Sequence, residues 1–215
     1  MADSYTSLKQ QLLQLLRAQS LQLGHFVLTS GKSSLYYFDS KFTTLHPEGA
    51  YLTAKLILET INREELRIDA IGGLTLGADP IVAAVAAVSH AERELYPPVS
   101  AFIVRKQPKG HGTKRLLEGY NPPPGARVAI VDDVCTTGGS TLQAIERAEQ
   151  SGCHVEAVLC LVDREEGGSE ALQGYRFLPL IRAAELLDEP AIQARLRELE
   201  ETRKETSKPN NTDHC

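Results

Sequence analysis

The chain has 215 residues, 42% of them apolar and 24% charged, with a formal net charge of −5. This is the length and composition of one globular domain with a sizeable core. The acidic balance argues against a general nucleic-acid binder, and no apolar run is long enough to span a membrane.

The four cysteines, Cys135, Cys153, Cys160 and Cys215, have neither C-x-x-C spacing nor a nearby His cluster, which argues against a zinc site. The first residues show no basic region followed by an apolar block, so reduced thiols and a cytoplasmic location are expected.

Taken in chain order, leucines at helical spacing predict an amphipathic helix over 7–23. Two β-like pieces, 26–28 and 35–38, flank Ser30-Gly31 and predict a small hairpin. Pro47 suits the first turn of a helix that runs to about Ile61. An alternation then sets in. Strand 68–71 closes on Gly72-Gly73, and an Ala/Val-rich helix covers 78–91. Strands 99–104 and 127–131 follow, then helix 140–151, strand 155–162 and a last strand at 177–180. Apolar strands alternating with helices predict an α/β fold with a central parallel sheet covered on both faces. The polar run from Glu198 predicts a disordered tail over 198–215, leaving one domain over 1–197.

Residues 128–140 read VAIVDDVCTTGGS. An apolar strand stops at Asp132-Asp133, and a Thr/Gly/Ser loop leads into a helix. Ligands of open parallel sheets bind beyond the carboxyl ends of the strands. Glycines expose backbone N–H groups, and a helix N-terminus adds partial positive charge, which together make a phosphate cradle. Two carboxylates beside such a cradle would repel phosphate alone. They suit a sugar phosphate whose hydroxyls donate to them. Gly31-Lys32-Ser33 imitates the end of a P-loop, but Phe26 stands where that motif needs Gly.

The 128–140 stretch resembles the thirteen-residue phosphoribosyl-pyrophosphate (PRPP) motif of type I phosphoribosyltransferases. The resemblance implies their fold, a central parallel sheet flanked by helices under a small N-terminal hood, here about 1–40. Three further stretches narrow it. FIVRKQPKGHGTKRLLEG (102–119) packs six basic residues into 105–115 and resembles the catalytic loop of the orotate phosphoribosyltransferase family. FVLTSGKSSLYYFDS resembles that family's hood hairpin, and GGLTLGADPIVAAVA its second pyrophosphate-contacting loop. VDREEGG resembles the strand end whose arginine meets the orotate carboxylate.

What the resemblance implies can be stated by residue. Lys109, Asp132 and Asp133 would be catalytic. Arg105, Lys106, Lys109 and His111 would bind the pyrophosphate of PRPP. Asp132 and Asp133 would hold the ribose hydroxyls, and Val134, Cys135, Thr136, Thr137, Gly138, Gly139 and Ser140 would bind the remainder. Tyr37, Phe38, Thr136 and Arg164 would bind orotate. Mg²⁺ would come with PRPP and water, with no metal site built from the protein alone, and the basic loop would be shared across a homodimer. Two positions depart from the pattern: some members carry lysine where Thr29 and Gly77 stand. A transferase for another base and a PRPP-sensing regulator are the alternative readings.

Overall fold

The computed structural model describes residues 4–27, 31, 33–107 and 116–206. Helix α1 (Ser4–Gln19) precedes an antiparallel hairpin, β1 (Leu21–Val27) and β2 (Ser33–Phe38). Helices α2 (Lys41–Thr44) and α3 (Pro47–Arg63) lead to the main sheet. That part comprises β3 (Ala70–Leu74), α4 (Asp79–Ala91), β4 (Ser100–Val104), β5 (Leu117–Gly119), β6 (Arg127–Cys135), α5 (Gly139–Gln150), β7 (His154–Asp163), α6 (Gly168–Ala171), β8 (Phe177–Arg182), α7 (Ala183–Leu187) and α8 (Pro190–Thr206).

The sheet order is β5-β4-β3-β6-β7-β8. All neighbours are parallel except β5, which runs antiparallel to β4 at the edge. Alternation along β6 explains its unbroken apolar sequence. Ala129 and Val131 pack with residues of α1, α3 and α4 on one face, whereas Val128 and Ile130 pack with residues of α5 on the other. Both faces are covered from Val128 to Val131, so these four positions are apolar.

Several boundaries differ from the sequence reading. The first helix ends at Gln19, because Leu21 and Leu23 pair with Phe38 and Tyr36 in the hairpin. Gly72 and Gly73 lie inside β3 rather than closing it. Strand β6 does not stop at Val131; it continues through both aspartates to Cys135, paired with β7. The polar C-terminal segment is helical through Thr206, with Ile192 and Leu199 buried, and this helix packs beside the hairpin. The hood is therefore completed by residues from far along the chain. Residues 207–215 lie outside the described residues.

Candidate active site

The chain leaves β3 for β4 on one side of the sheet and later returns to place β6 on the other side of β3. That reversal opens a crevice at the carboxyl ends of β3 and β6, where open α/β sheets bind ligands. A cleft of about 310 Å³ lies there, lined by Lys41, Gly77, Lys106, Asp132, Asp133 and Ser140. A more enclosed apolar cavity, about 210 Å³ among Leu58, Leu66, Ile68 and Tyr96, lies at the opposite rim by the strands' amino ends.

Asp132 is buried. Its Oδ2 accepts hydrogen bonds from Ser140 Oγ and Thr141 Oγ1, both at 2.7 Å, and its Oδ1 accepts from the Asp133 backbone N–H at 3.0 Å. Burial pushes its carboxyl up to about 6; the two hydroxyls pull it back down, and the neighbouring Asp133 adds to the rise. Asp133 points into the cleft, where its Oδ2 accepts from Ser40 Oγ at 2.5 Å. Ser40 follows the hairpin, so the hood is tied directly to the acidic pair. Sequence reasoning missed Ser40, since a lone serine after a strand carries no signal.

The turn after β6 has the expected form. Gly138 adopts φ +79 as the N-cap of α5, a left-handed conformation that favours glycine. Leu142 N–H donates to Gly138 O at 2.9 Å, while Thr136 to Ser140 line the helix N-terminus. Val134 and Cys135 are still in the strand. The Cys135 thiol is buried against Gly168 of α6, and burial pushes it up to about 11. It is therefore an inert packing group at neutral pH.

The loop from Leu74 to Ala78 contains a cis peptide between Thr75 and Leu76. Thr75 Oγ1 donates to Asp79 Oδ2 at 2.8 Å. Gly77 lies against Asp133: a β-carbon at this position would overlap the Asp133 carboxylate. A side chain here is thus incompatible with this placement of Asp133. Thr29 lies outside the described residues. Lys41 lines the cleft and is held by Asp39 at 2.7 Å.

The basic stretch begins at the end of β4. Arg105 pairs with Glu118 at 3.3 Å. Arg147 of α5 donates to the backbone carbonyls of Arg105 and Lys106, the latter at 2.6 Å. The helix that opens at the phosphate turn therefore also grips the root of the basic loop. Arg105 and Lys106 line an adjoining cleft of about 620 Å³ with Thr75 and Asp79. Lys109 and His111 lie outside the described residues.

Arg164 follows β7. Its backbone N–H donates to Cys135 O at 2.9 Å, which sets it beside the phosphate turn. Its guanidinium pairs with Glu166 at 2.8 Å and lies 5.0 Å from the Tyr36 ring centroid. Tyr36 thus supplies the ring against Arg164. The Tyr37 ring is 5.7 Å from that of Phe26, and the Phe38 side chain is buried in the core. Period-two alternation puts Tyr36 and Tyr37 on opposite faces of the hairpin, a choice the bare YYF sequence left open.

An acidic pair and a glycine turn at the switch point, on a parallel sheet beneath a hairpin hood, define the type I phosphoribosyltransferase class. No protein-family model matches the chain. It is 44% identical to the orotate phosphoribosyltransferase of Nostoc sp. over 174 residues, covering 80% of this chain and 82% of that protein. With the Aquifex aeolicus orotate phosphoribosyltransferase it shares 45% identity over 184 residues, 83% of this chain and 97% of the other. Among solved structures, the Mycobacterium tuberculosis H37Rv orotate phosphoribosyltransferase superimposes with a TM-score of 0.72 at 36% identity, covering 83% of this chain and 98% of that one. The same enzyme solved in complex with PRPP gives a TM-score of 0.68 at 33% identity, with the same coverage. The chain belongs to the orotate phosphoribosyltransferase family.

Proposed function

We propose that this chain transfers the phosphoribosyl group of PRPP to orotate, giving orotidine 5′-phosphate and pyrophosphate in de novo pyrimidine (UMP) biosynthesis. The observation that carries this reading is the acidic pair and the glycine turn at one crevice, with Arg164 at the end of the neighbouring strand. The Asp132–Asp133 pair and the glycine turn suit a ribose phosphate, and Arg164 beside that turn suits an anionic planar base.

A nitrogen of orotate displaces pyrophosphate at the anomeric carbon. Positive charge grows on the ribose ring as negative charge grows on the leaving group. The turn 136–140 holds the 5′-phosphate through backbone N–H groups and the dipole of α5. Asp133 accepts from a ribose hydroxyl and, with Asp132, keeps a negative field near the ring. Arg105, Lys106, Lys109 and His111 would stabilise the charge that develops on the leaving pyrophosphate. Tyr37 and Phe38 offer backbone N–H groups to the base, Thr136 lies by it, and Arg164 takes its carboxylate.

Mg²⁺ would neutralise pyrophosphate charge. Among the described residues no group of three His, Cys, Asp or Glu side chains could hold a metal ion. Both Asp132 oxygens are already engaged, so the donors present fit an ion carried mainly by the oxygens of PRPP and by water.

A homodimer belongs to the same proposal. Phe42 of α2, Leu45 just after it and Tyr51 of α3 are exposed to 56%, 69% and 46% and offer an apolar surface to a second copy. A cytoplasmic location accords with the free thiols of Cys135, Cys153 and Cys160. Among the described residues no helix is long and apolar enough to cross a membrane.

The test mixes the full chain with PRPP, Mg²⁺ and orotate and follows orotate absorbance. A decline that needs all three, and that slows about tenfold to a hundredfold in Lys109→Ala, supports the reading. Equal activity with adenine would overturn it.

A further inference from the structure

The Arg164 guanidinium is engaged on one edge and one face. Glu166 Oε1 accepts from Nε at 2.9 Å and pairs with Nη2 at 2.8 Å, so a single oxygen spans that edge. The Tyr36 ring covers a face at 5.0 Å. The side chain is only 11% exposed although it sits on a connection after β7. Among the described residues Nη1 has no partner. The outer edge, Nη1 with Nη2, is the half of the planar fork that can take a carboxylate through two parallel N–H donors.

We propose that Glu166 is a positioning residue that makes Arg164 a reader of carboxylate-bearing bases. By occupying the inner edge, it holds the guanidinium against Tyr36 and leaves the outer edge for the carboxylate of the base. This rests on the function proposed above. Two effects oppose each other. An arginine already ordered loses less freedom when the base arrives, which favours binding. A second carboxylate near an incoming anion repels it. Glu166 is 35% exposed, so solvent screens the repulsion, and the ordering effect prevails.

Steady-state kinetics of the full chain, varying orotate and PRPP separately, test the role. Glu166→Ala raises the orotate KM about three- to tenfold, while the PRPP KM and the melting temperature stay near wild type. Glu166→Gln keeps a carbonyl oxygen that accepts from both N–H groups, so it restores most of the affinity. An orotate KM that is unchanged or lower in Glu166→Ala overturns the proposal, as does an equal loss in both variants. Wild-type protein that fails to consume orotate overturns both this inference and the function beneath it. Wild-type turnover with a silent Glu166→Ala removes the inference alone.

Discussion

Gly77→Ala tests the placement of Asp133 through activity and stability together. The Gly77 backbone is not in the left-handed region, so alanine can adopt it, and such a change in a loop commonly stabilises by about 0.4–1 kcal/mol. The added β-carbon overlaps the Asp133 carboxylate. That carboxylate can rotate away only by giving up the Ser40 hydroxyl, now at 2.5 Å, and by leaving its place toward the ribose. A hydrogen bond to a charged group contributes about 1.5–3 kcal/mol. Losing one such bond in the transition state lowers kcat/KM for PRPP about tenfold to a hundredfold. The melting temperature should fall modestly, because the lost Ser40 contact outweighs the gain in the unfolded chain by about 1–2 kcal/mol. Orotate absorbance with PRPP varied reads the first effect, and thermal melting reads the second. A Gly77→Ala variant with unchanged kcat/KM would refute the role given to Asp133 and its contacts.

Three further outcomes follow from the same geometry. The folded value of Asp132, about 6, lies above its ordinary 3.8, so the stability it contributes is full below the ordinary value and is lost as pH rises through 6. Melting should therefore show about 1 kcal/mol more stability near pH 5 than near pH 8, a gain absent in Asp132→Asn. Activity should fall over the same interval as the carboxylate becomes neutral; a parallel loss of both would contradict the assignment. Arg164→Ala should weaken orotate about tenfold to a hundredfold while sparing PRPP, measured by calorimetry. Leu45→Glu should shift the chain toward monomer in sedimentation experiments, because it sets a charge in the exposed apolar surface at the end of α2.

Most of the sheet was legible because buried parallel strands are continuous apolar runs and their helices keep a separate period. What escaped depended on partners distant in sequence. Asp132 and Asp133 look like a strand end, yet they stay in β6 because Cys160, Val162 and Asp163 of β7 pair alongside and hydroxyls from α5 satisfy Asp132. Gly72 looks like a turn, but in β3 it makes room for the Phe102 ring. Strand β5 has three residues, too few to show any period. Helix α8 is polar over most of its surface, and its few buried contacts lie beside a hairpin encoded near the other end of the chain. The phosphate turn was readable for the opposite reason: every part of it lies within thirteen consecutive residues, 128–140.

The hood has a consequence for the order of synthesis. A two-stranded hairpin is marginal on its own in water, and this one is flanked by the penultimate stretch of the chain. The parallel sheet can assemble while the polypeptide is still emerging, since domains form from the N-terminal side as they are made. The roof over the base site waits for α8. A nascent chain with residues up to 189 outside the ribosome and α8 still enclosed would carry its phosphate turn complete and its base pocket unfinished, so PRPP affinity should precede orotate affinity during biogenesis.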